Sequence, residues 1–140
     1  MAISRSALAK AGFFELEQSA KNLTELAEHG KAKADSLITE LSKAAEPDQV
    51  VSGLLMLGQV SEVALKDALT PKHLPEIVKI FGASSGLIEF FCRHPELLKK
   101  HASKAPKLFS FGEYCKLLSS AVAGSNGAEA GQLLRKSYRE

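Results

Sequence analysis

Apolar residues recur along this chain at intervals of three and four, the spacing that stacks side chains on one helical face. Ser4 is placed to cap a short helix over residues 5–11 that closes at Gly12. Leu16, Ala20, Leu23 and Ala27 then line one side of a longer helix ending at Gly30, with Glu15 and Glu17 favourably placed in its first turn. Leu37, Leu41 and Ala45 mark the next helix, opened by Asp35. Pro47 suits a first helical position, and Val50, Val51, Leu54, Leu55 and Leu57 make the helix that follows apolar on most sides. That helix is predicted to be the most buried element. Residues 62–74 are less regular and read as a short helix followed by a Thr-Pro start. Pro75 would break a helix running on from Pro71, so a new one is expected to begin there.

Residues 76–98, EIVKIFGASSGLIEFFCRHPELL, allow two incompatible readings. Ile77, Ile80 and Phe81 form a stripe that stops at Gly82, a residue suited to the left-handed conformation that closes a helix. Ser84 is placed to accept from the free amides of a second helix, whose stripe is Leu87, Ile88 and Phe91. Pro95 ends that helix near His94. Two short helices across a Gly-Ala-Ser turn meet the geometric needs of a DNA-reading helix-turn-helix. The chemistry of the second helix argues against it. A recognition helix needs donors near its N-terminus, whereas this one offers Ser84, Ser85, Gly86 and Leu87, then Glu89 and Phe90. Net charge is only +2 over 140 residues, far from a basic footprint.

Beyond Pro95 a short helix to about His101 carries Leu97 and Leu98, and HASKAPKLF reads as loop. Ser110 and Glu113 form an S-x-x-E capping box, with Phe109 and Tyr114 as its hydrophobic staple. Tyr114, Leu117, Leu118 and Ala121 continue as a stripe to Gly124, and AGSNG at 123–127 is a connector. A last helix holds Ala130, Leu133, Leu134 and Tyr138 and reaches the chain end with no stop signal, as expected of a helix cut short. β-branched alternation is absent throughout. The expectation is an all-α fold: a compact bundle of seven to nine short helices with no sheet, residues 1–140 forming one helical domain.

Composition fits an ordinary globular chain, with 45% hydrophobic and 24% charged residues. No apolar run approaches the length of a membrane span, and the N-terminus lacks the pattern of a signal peptide. Cys92 and Cys115 stand alone without C-x-x-C spacing, consistent with reduced thiols in the cytoplasm. Candidate chemistry is sparse. Asp35, Asp48 and Asp67 are widely separated, so no carboxylate pair is available for two-metal phosphoryl or nucleotidyl transfer. No phosphate-binding glycine motif is present. Cys92, His94 and His101 could in principle approach one metal, and a buried thiol, a helix-end histidine and a solvated histidine explain them more simply. Ser84 and Ser85 have no evident base. Lys99, Lys100, Lys104 and Lys107 form a basic cluster, ordinarily a solvated face. No catalytic, cofactor-binding or metal-ligating residue is therefore assigned.

Four stretches occur in a telling order: Gly12-Phe13 before an E-x-x-x-A helix, AAEPDQVVSGLLML at 44–57, FGASSGLIEFFCRHPELL at 81–98, and LLRKSYRE at 133–140. Together they resemble the N-terminal region of bacterial bifunctional glutamine synthetase adenylyltransferase/adenylyl-removing enzyme. That resemblance implies an all-helical segment preceding the first catalytic domain, in a cytoplasmic protein of nitrogen assimilation that uses ATP or phosphate with magnesium. It implies glutamine synthetase and a PII protein as partners. The family's catalytic hallmark, a Gly-Ser turn followed by paired aspartates, is missing: no Asp follows Gly124-Ser125. The segment is expected to be non-catalytic, packing on the catalytic domain or helping to present glutamine synthetase. Gly82, Ser84, Arg93, His94, Pro95 and Glu96 are the candidates for turn-forming or interaction residues. A free-standing helical adaptor is the alternative, and a DNA-binding module a further one.

Overall fold

The computed structural model describes residues 3–103 and 109–139. Ten α-helices run through them in the order α1 (Arg5–Lys10), α2 (Leu16–Gly30), α3 (Ala34–Leu41), α4 (Pro47–Val60), α5 (Glu62–Ala68), α6 (Leu74–Ala83), α7 (Ser85–Arg93), α8 (Pro95–Ser103), α9 (Phe111–Val122) and α10 (Gly127–Arg139). No strand occurs among the described residues, and the all-α class stands. The count exceeds the expected seven to nine because single residues suffice to separate helices. Ser61, Ser84 and His94 are each the lone non-helical residue between two helices.

The chain divides into two compact units, residues 1–104 and 105–140. In the first, α4 is the central element and touches α2, α3, α5, α6 and α7. The apolar run that set it apart in sequence explains this position: Pro47, Val50, Val51, Gly53, Leu54 and Leu57 are all buried. Gly53 lets α6 and α7 come close, since a Cβ there would sit 2.9 Å from both Phe81 and Ile88. Around α4 the core is filled by leucines of α2 and α3 and by Ile77, Phe81, Ile88, Phe91 and Leu98. Burying side chains of this size stabilises by roughly 1.5–3 kcal/mol each before the entropy of ordering is counted.

Two hydrogen-bonded ties fix α4 to distant segments. Asp48, in its first turn, accepts from the Phe14 backbone N–H at 2.8 Å and from the hydroxyl of buried Ser19. Gln49 donates from Nε2 to the Phe81 carbonyl at 2.6 Å, satisfying an acceptor near the end of α6.

Several boundaries differ from the sequence reading. Gly30 remains helical, and Lys31 takes the left-handed conformation at φ 48°. A Cβ at Gly30 would meet Leu69 at 2.9 Å, so this glycine serves helix packing. Gly82 likewise does not terminate α6, which continues through Ala83; its missing side chain admits the Ala44 Cβ, 3.0 Å from where a Cβ would lie. Asp35 lies inside the first turn of α3, after Lys33 at the cap, and α3 stops at Leu41, leaving Ala45 exposed outside it. The Thr-Pro segment at 70–71 forms turn structure, and α6 begins at Leu74 with Pro75 next, where its missing N–H costs no helical bond.

The second unit is a helical pair, α9 packed with α10. The capping box is fully formed: Glu113 N–H donates to Ser110 Oγ at 3.3 Å and Ser110 N–H donates to Glu113 Oε2 at 2.8 Å. Phe109 and Tyr114 make the staple, ring centroids 5.4 Å apart and edge to face. Gly124, at φ 76°, supplies the left-handed residue in the connector. No residue of α9 is buried, and Phe111 is 85% exposed.

Candidate functional site

The turn-forming candidates lie along α6, α7 and α8. Ser84 ends α6 and precedes α7 in extended backbone, φ −163° and ψ 128°, without a side-chain bond to the free amides. The cap expected of its hydroxyl is therefore absent, and Ser61, opening α5, is the serine that does cap, accepting from the Ala64 N–H at 3.2 Å. The sequence carried that signal, a serine directly before Glu-Val-Ala-Leu. His94 stands between α7 and α8, its N–H donating to the Phe90 carbonyl at 3.0 Å and its carbonyl accepting from Leu97 N–H at 3.0 Å. Its ring lies 5.0 Å from that of Phe90, and Nδ1 is 3.8 Å from a Glu96 carboxylate oxygen. Pro95 is the first residue of α8. Arg93 is exposed and within 3.8 Å of Glu89. His94, Pro95 and Glu96 therefore converge on the α7–α8 corner, whereas Gly82 and Ser84 lie at the other end of α7.

The face of α7 opposite the core carries Ser85, Gly86, Glu89 and Arg93, all exposed. Its inner face buries Ile88, Phe90, Phe91 and Cys92. Phe90 and Phe91 meet edge to face at 5.3 Å, and Phe91 meets His101 at 5.6 Å. Cys92, His94 and His101 are thus drawn into separate environments: burial pushes the Cys92 thiol above its ordinary pKa, and the two histidines pack on aromatic rings. Among the described residues, no group of three His, Cys, Asp or Glu side chains gathers at metal-binding distance. Of the basic cluster, Lys99 lies 3.6 Å from Asp67, and Lys104 and Lys107 fall outside the described residues.

Sequence reasoning missed one polar constellation. Buried His73 has Nδ1 3.2 Å from the Asp67 carbonyl and 3.5 Å from its carboxylate, and Nε2 3.1 Å from Ser103 Oγ. It borders a cleft of about 300 Å³ walled by Ala64, Ala68, Ile77 and Leu98. The order Asp, His, Ser invites comparison with a nucleophile triad, but the hydrogen bonds do not support one. The Ser103 hydroxyl donates to the Lys99 carbonyl at 2.7 Å, leaving no proton for the imidazole to take, and the nearer partner of Nδ1 is a backbone carbonyl. The group instead braces the α5–α6 turn against α8, with each nitrogen of a buried ring within hydrogen-bond distance of a polar partner.

No family model matches the chain, and no solved structure does. A curated protein does: the bifunctional glutamine synthetase adenylyltransferase/adenylyl-removing enzyme of Leifsonia xyli subsp. xyli, 31% identical over 144 aligned positions. The alignment takes in 98% of this chain and only 14% of that protein. The likeness read from the ordered motifs thus holds along almost the entire chain, which is similar to one short stretch of a glutamine synthetase adenylyltransferase/adenylyl-removing enzyme.

Proposed function

We propose that this chain is the N-terminal helical segment of a glutamine synthetase adenylyltransferase/adenylyl-removing enzyme, and that it carries no chemistry of its own. The observation that carries the reading is the 31% identity over 98% of the chain, confined to 14% of a much longer nucleotidyltransferase. The placement of the acidic residues supports it. Asp48 is engaged with Phe14 and Ser19, and Asp67 with His73 and Lys99, so both are occupied in holding helices together. In this reading the segment packs on the first catalytic domain or helps present glutamine synthetase, with Arg93, His94 and Glu96 at the α7–α8 corner. ATP, phosphate and magnesium are used elsewhere in the protein, a PII protein regulates it, and the setting is cytoplasmic. The test incubates purified chain with glutamine synthetase, ATP and magnesium, and with the adenylylated synthetase, phosphate and magnesium. The synthetase is expected neither to gain nor to lose AMP, while the chain co-purifies with the catalytic domain or with the synthetase. Turnover abolished by a substitution within residues 1–140 would overturn the non-catalytic assignment, and association with neither protein would overturn the docking role.

A further inference from the structure

We draw no further inference here: the strongest candidate, the uncovered apolar face of the α9–α10 helical pair around Tyr114, Leu117 and Leu134, carries none because nothing in the structure shows what covers it.

Discussion

Asp48 ties the start of α4 to segments far away in sequence, because both of its oxygens are committed to partners there. Hydrogen bonds to a charged acceptor contribute more than neutral ones, and the Ser19 hydroxyl would be left buried without a partner. Asp48→Ala is therefore expected to cost about 2–3 kcal/mol. Ser19→Ala, which leaves the Phe14 bond in place, should cost about 1 kcal/mol. Urea denaturation midpoints check the order, and equal losses would show that the two bonds are not the cause. None of this was legible in the sequence, where Asp48 read only as one of three scattered aspartates forming no pair; its partners lie 34 and 29 positions away. The cysteines supply a second residue-scale contrast, Cys92 being buried and Cys115 exposed. Iodoacetamide is expected to modify Cys115 in the native protein and Cys92 only after unfolding. Because burial raises the Cys92 pKa, both folded and unfolded states hold the proton below the ordinary thiol value of about 8.5. As pH rises through that value the unfolded state ionises first, so Cys92 erodes stability on the alkaline side alone. Cys92→Ala should flatten the alkaline fall, and an unchanged slope would rule this origin out.

At the level of the element, the start of α9 is the place where local sequence and structure agree most fully. Ser110→Ala removes the acceptor for the Glu113 amide and should destabilise by about 1 kcal/mol, within the usual 0.5–2. The check is the denaturation midpoint together with the helical signal. An unaltered midpoint would reject the cap as a source of stability. The box was readable because all its partners lie within four residues, and the same locality made the stripes of α2, α4 and α7 readable. The glycines show where such reading stops. Gly30 and Gly82 looked like helix ends, and each instead makes room for a neighbour, Leu69 in one case and Ala44 in the other. A terminator and a close-approach glycine look alike in sequence, since the difference lies in a contact with a distant segment. The His73 brace escaped notice for the same reason, joining residues 30 positions apart. Of the turn candidates, Pro95 was placed by a local backbone rule, while the neighbours of the His94 ring required the folded corner.

Across the whole molecule, the choice between a DNA reader and a structural helical hairpin depends on what the open face of α7 can offer. Its inner face is occupied by the core, so only Ser85, Gly86, Glu89 and Arg93 are available to a groove. Arg93, the one cation among them, stands 3.8 Å from Glu89 at the C-terminal end of the helix, away from where base-reading donors belong. A net charge of +2 over 140 residues offers little release of counterions from a phosphate backbone. The expected outcome is no competitor-resistant DNA binding at physiological salt, with any gel shift at low salt lost as salt rises. Glu89→Lys provides the discriminating comparison. On a true recognition surface, reversing that charge would tighten binding measurably and preserve sequence preference. On the outer face of a structural helix it should add only salt-sensitive, sequence-independent retention and leave the fold intact, since Glu89 is exposed. Sequence-specific binding by the unmodified chain that survives competitor DNA would overturn the structural reading of α6 and α7.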